Sequence, residues 1–107
     1  MLKIIYFVPE THLEQTKQAI FAAGAGAMGA YSQCAWQVLG MGQFKPELGS
    51  QPYIGEQKKL QQVAEWRVES IVPEAAALAV LEALKASHPY EEPAFEFIQL
   101  FDINSLT

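Results

Sequence analysis

At 107 residues the chain has the size of one domain, and with half its residues apolar it can bury a core without disulfides. A formal charge of −5, with only seven scattered Lys and Arg, excludes a phosphate-backbone partner, because nucleic-acid binding needs clustered cations. The single cysteine, Cys34, excludes an internal disulfide framework and fits a reducing, cytoplasmic setting. No signal-peptide pattern is visible, and no stretch reaches the roughly 20 apolar residues that cross a bilayer, so no membrane partner is expected.

The first predicted element is a strand over Leu2–Val8. It runs into Val8-Pro9-Glu10 and a helix over residues 11–23. Proline fits a helix start because its fixed φ suits the first turn, and the following Glu complements the positive end of the helix dipole. Thr11-x-x-Glu14 reads as a capping box, with His12 solvated in the first turn. Leu13, Thr16, Ile20 and Ala23 form the inner stripe, and Gly24 closes the helix. Residues 24–29, with Gly24, Gly26 and Gly29, match G-x-G-x-x-G. Here, however, the helix precedes the glycines, whereas a dinucleotide site needs them before a helix N-terminus. A helix cap with a tight entry to the next strand is expected, and no nucleotide cofactor.

A second strand is predicted over residues 30–39, with Cys34, Trp36 and Val38 on one face and Tyr31 and Ala35 on the other. Cys34 is expected there as a buried, inert thiol. Residues 40–62 then form a long excursion holding Gly40, Gly42, Phe44, Tyr53 and Ile54, and connections of that length are usually functional or mobile. The third strand, residues 63–72, sets Ala64, Trp66, Val68 and Val72 against Glu65, Arg67 and Glu69. It leads into Val72-Pro73-Glu74, a copy of the first unit, and a helix over residues 75–87 with Ala77, Leu81 and Leu84 inward. Pro89 forces His88 out of helical geometry. The fourth strand covers residues 94–101.

Two βαβ units in succession give an α+β chain: a ferredoxin-like βαββαβ (split βαβ) antiparallel sheet with two helices on one face, spanning residues 1–107 as one domain. The uncovered face mixes apolar residues with charges. It reads either as an ordinary half-solvated face or as a subunit interface, and the low charge content adds to the second reading, a homo-oligomer.

The most distinctive stretch is His88-Pro89-Tyr90-Glu91-Glu92-Pro93. Pro89 and Pro93 stiffen a loop that brings together an imidazole, a phenol and two carboxylates. His88, Tyr90, Glu91 and Glu92 are therefore the candidate ligand or divalent-metal residues, through metal binding or proton transfer. The competing reading is a rigid turn whose His and Tyr hydrogen-bond the backbone. No Ser-His-Asp set, P-loop lysine motif or zinc-helix motif is present, so no catalytic residue is assigned.

The glycine string Gly24-x-Gly26 with Gly29-x-Tyr31-Ser32-x-Cys34, then Gly40-x-Gly42-x-Phe44-x-Pro46, Gly49-x-x-Pro52-x-Ile54-Gly55, Glu65-x-Arg67-x-Glu69 and residues 88–93, resembles the PII/CutA-like domain of the NIF-three-like family. The resemblance runs from about Ile4 to Phe97, nearly the whole chain. The 88–93 loop also resembles that of CutA proteins, trimers implicated in divalent-cation tolerance. The resemblance implies a regulatory or small-ligand-binding module that self-associates, with a trimer favoured and a protein partner conceivable. A divalent-metal-binding protein using residues 88–93 is the second reading, and an enzyme with sites between subunits the least expected, since no nucleophile–base pair is identifiable. Longer members carry a dinuclear metal site on a surrounding domain, and that site does not carry over to these residues.

Overall fold

The structure is a computed structural model that describes every residue, 1–107. Strands β1 (Leu2–Val8), β2 (Trp36–Phe44), β3 (Gln61–Val72) and β4 (Phe95–Gln99) form one antiparallel sheet in the order β2-β3-β1-β4. Helices α1 (Leu13–Ala22) and α2 (Ala77–Ser87) cover one face. This is the ferredoxin-like arrangement expected from the doubled unit.

The repeat is literal in the backbone. At each Val-Pro-Glu the strand ends, the proline stays extended (Pro9 ψ 156°, Pro73 ψ 140°), and a single 3-10 turn precedes the α-helix. His12 N–H donates to Pro9 O at 3.0 Å, and Ala76 N–H to Pro73 O at 2.9 Å. Each proline thus caps a tight turn and is not itself the first helical residue. The expected capping box does not form: Thr11 Oγ1 bonds His12 Nδ1 instead, because the inserted 3-10 turn moves the start of α1 to Leu13.

Alternation on β1 turns Ile4, Tyr6 and Val8 toward the helices, where they pack with Leu13, Ile20, Val68, Val72, Val80 and Leu84. Each such aliphatic side chain contributes about 1.5–3 kcal/mol by leaving water. On α2 the fully buried positions are Val80 and Leu84; Leu81, expected inward, is half-buried. Thr16, a polar member of the α1 stripe, is satisfied inside the core: Tyr6 Oη donates to its hydroxyl at 2.9 Å, and that hydroxyl donates to His12 O at 2.8 Å. Burial pushes the Tyr6 phenol up to about 12.

The second strand departs most from expectation. It begins at Trp36, not at residue 30, and continues through Gly40 and Gly42 to Phe44. The glycine string explains the delay. Gly24 closes α1 with φ +120°; its N–H donates to Phe21 O and that of Ala25 to Ile20 O, which satisfies the last helix carbonyls. Gly26, Gly29 and Gln33 then also take positive φ, and Met28 and Tyr31 exchange backbone bonds at 2.9 Å. The chain cannot extend until this run of turns is complete. Cys34 consequently lies in the loop, half-buried, with its N–H on Gly26 O and its carbonyl accepting from Ser70 Oγ. The shift also changes faces. Trp36 pairs with Glu69 and Val38 with Arg67, so both sit on the uncovered face, where Trp36 is 60% exposed. The fourth strand is shorter than expected, ending at Gln99.

Candidate functional site

The 88–93 loop starts where α2 stops. His88 takes an extended backbone (φ −81°, ψ 139°), as the following proline requires, while its N–H still caps Leu84 O. Its side chain is buried. Tyr90 N–H, which can only donate, lies 3.1 Å from Nδ1, so Nδ1 is the bare nitrogen. Nε2 then carries the hydrogen and donates it to Phe7 O at 2.6 Å. Both ring nitrogens are used within the chain. Burial lowers the His88 pKa from its ordinary value, against the opposing pull of the Phe7 carbonyl and of Glu65, which favours this neutral form.

Tyr90 is the hub of the site. Its hydroxyl donates to Glu65 Oε2 at 2.7 Å. Burial, with the Glu65 carboxylate beside it, drives the phenol far above its ordinary pKa, so it stays a donor. Its ring lies 4.9 Å from His88, 6.0 Å from Phe44 and 6.3 Å from Tyr53, tilted against each and stacked on none. Glu65 reaches Tyr90 across a strand that offers no obstruction, because a Cβ on Gly42 would collide with the Glu65 carboxylate.

The excursion, now residues 45–60, folds back toward this loop. Gln51 N–H donates to Glu91 Oε1 at 3.2 Å, and Tyr53 meets the His12 ring edge-on at 5.9 Å. Between excursion and loop lies a cleft of about 790 Å³, lined among others by Phe7, Phe44, Tyr53, Glu65 and Tyr90. Glu91 and Glu92 stand on its rim, both exposed.

The structure therefore brings Tyr90, Glu91 and Glu92 to one cleft and places His88 behind it as a brace. Gly24, Gly26 and Gly29 are remote from it in the fold, at the end of α1, and Gly40 faces open space. Sequence reasoning missed Glu65, Phe44, Phe7, Tyr53 and His12 as site neighbours. A signal existed: a glycine within a strand leaves room for a side chain from the next, and at Gly42 the Glu65 carboxylate fills that room. No group of three or more His, Cys, Asp or Glu side chains converges as a metal site would require. With His88 committed on both nitrogens as well, the residues do not fit a divalent metal without rearrangement.

No family model matches the chain. A protein of Mycobacterium leprae named GTP cyclohydrolase 1 type 2 homolog is 47% identical over 98 residues, covering 92% of this chain and 26% of that protein. The Halalkalibacterium halodurans protein of the same name is 45% identical over 100 residues, covering 94% of this chain and 27% of its own length. The crystal structure of a Bacillus cereus protein related to NIF3 superposes with a TM-score of 0.82 at 37% identity, covering 94% of this chain and 26% of that one. By sequence and fold, the chain matches the PII/CutA-like domain of the NIF-three-like proteins. It spans about a quarter of the length of the curated relatives it matches. The fold is shared more widely: Pyrococcus horikoshii CutA1 gives a TM-score of 0.70 at 18% identity, covering 97% of this chain and 87% of that one. The PII-like protein CutA from Nostoc gives 0.64 at 16%, covering all of this chain and 86% of its own. No helix of this chain is long and apolar enough to cross a membrane.

Proposed function

We propose that this domain is a non-catalytic, PII/CutA-like regulatory module that binds a small ligand and self-associates, with a trimer as the favoured state and the cytoplasm as its setting. The cleft between the 45–60 excursion and the 88–93 loop carries the reading. It is large enough for a small molecule, has aromatic walls, and is held by elements fixed to the sheet. Nothing in it pairs a nucleophile with a base: His88 is spent on Phe7 and Tyr90, and Tyr90 holds its proton against Glu65. The cyclohydrolase in the relatives' name belongs to proteins about four times as long, and that activity is not assigned to these residues.

Self-association is supported by the uncovered sheet face, where Trp36 is 60% exposed beside Val38 on β2 and Ile98 is 42% exposed on β4, at the opposite edge. Apolar area of this kind is normally covered in an assembly. Light scattering tests it. A mass of three chains is expected for the wild type and a smaller species for Trp36→Glu; a wild-type monomer at micromolar concentration defeats this part of the reading.

A further inference from the structure

We propose that the cleft selects an organic cation, an ammonium or guanidinium head on an apolar or planar body; this rests on the cleft being a ligand site at all.

Glu65 carries the argument. It is half-buried on β3, at the floor of an aromatic-walled cleft. Every ion pair in the chain leaves it out, as they leave out Glu91 and Glu92. Its one hydrogen bond, from Tyr90, orients Oε2. Its other oxygen, Oε1, lies over Gly42, where a side chain would displace it. A carboxylate partly withdrawn from water, oriented by one hydrogen bond and left without a cation is placed to accept a positive guest.

The walls fit the same guest. Phe44 and Tyr53 flank Tyr90 at tilts of 53° and 46°, so their faces are not consumed by stacking on it. Aromatic faces attract ammonium and guanidinium groups through the ring quadrupole. The charged lining comprises Glu47, Glu65, Glu91 and Glu92 against Lys45 alone, and Glu47 is already paired with Lys58. A phosphate or carboxylate ligand would meet that excess head on. A bare divalent ion would find no convergent donor set. A volume of about 790 Å³ suits a body larger than an ion.

The test is a chemical-shift titration of the labelled full chain with 2-phenylethylammonium, its neutral match 2-phenylethanol, its anionic match 3-phenylpropionate, agmatine, and zinc chloride. A capped single-arginine peptide adds the case in which the same head group comes from a protein segment. Expected are shifts of the Phe44, Tyr53, Glu65 and Tyr90 amides by the ammonium or guanidinium probes, free or peptide-borne, with affinity at least ten times that of the neutral and anionic matches. Glu65→Gln, which still accepts from Tyr90, should lower cation affinity tenfold or more, and Glu74→Gln, far from the cleft, should leave it unchanged. Equal binding of neutral, anionic and cationic probes, or zinc alone reproducing the shifts, overturns the cation while keeping a ligand cleft. Silence from every probe overturns the cation and the ligand-binding reading together.

Discussion

The imidazole of His88 joins the end of α2 to β1: its Nε2 donates to the carbonyl of Phe7, 2.6 Å away and 81 residues earlier in the chain. Phe7 also lines the cleft, so the same bond sets one wall of the site relative to Tyr90.

Acid should loosen this brace. The His88 pKa is lowered in the fold, chiefly by burial, so on acidification the unfolded chain takes up the proton first. The contribution is complete above the ordinary histidine pKa of about 6.5 and is lost as pH falls from there through the folded value. Denaturant midpoints measured from pH 8 to pH 5 should fall for wild type and vary less for His88→Gln. At pH 7.5, His88→Ala should cost about 1–3 kcal/mol, because Phe7 O and Tyr90 N–H lose their partner.

Alkali should act through Tyr6. Its phenol is pushed up to about 12 by burial, so the unfolded chain releases the proton first, and stability is lost as pH rises above about 10. Thermal melts in Tyr6→Phe should show a shallower alkaline decline, at the expense of about 1 kcal/mol near neutrality for the bond to Thr16.

Two glycines one turn of the pleat apart should behave oppositely. Gly40→Ala adds a methyl in open space and relieves backbone entropy, so stability should hold or rise by up to about 1 kcal/mol. Gly42→Ala drives its methyl into the Glu65 carboxylate, the free end of a flexible side chain. The stability loss should stay below about 1–3 kcal/mol, while Glu65 is displaced from Tyr90. Comparing unfolding curves and the Tyr90 amide resonance in the two variants checks both halves.

Gly24→Ala should be damaging for two reasons at once. It places a side chain at φ +120° and within 2.9 Å of the Ala76 methyl, where the end of α1 meets the turn before α2. A loss of about 1–3 kcal/mol in a urea titration is expected.

The doubled Val-Pro-Glu unit made the fold legible, because strand period, proline and helix stripe agree at both copies. β1 and α2 fall where periodicity puts them. β2 does not, because periodicity is blind to how many residues a run of positive-φ turns absorbs, and residues 24–35 absorb twelve by count from Gly24. Of the site, the 88–93 loop was legible through its two prolines. Glu65 was not: alternating with Arg67 and Glu69, it reads as one more solvated charge until the register sets it beside Gly40 and the backbone at Gly42 opens a path to Tyr90.

The strand order β2-β3-β1-β4 has a consequence for how the chain could be divided. Neither βαβ half holds two neighbouring strands. In the first half β1 and β2 stand apart by one missing strand, and β3 fills that slot; in the second half β1 fills the slot between β3 and β4. The halves are therefore interlocked, like fingers of two hands, and a chain cut in the 45–60 excursion would yield two pieces that are each gapped. Neither piece should order alone, since a lone strand presents unpaired backbone groups on both edges. Mixed together, they should reassemble one complete sheet, and the excursion would mark a natural seam in a molecule that is otherwise indivisible.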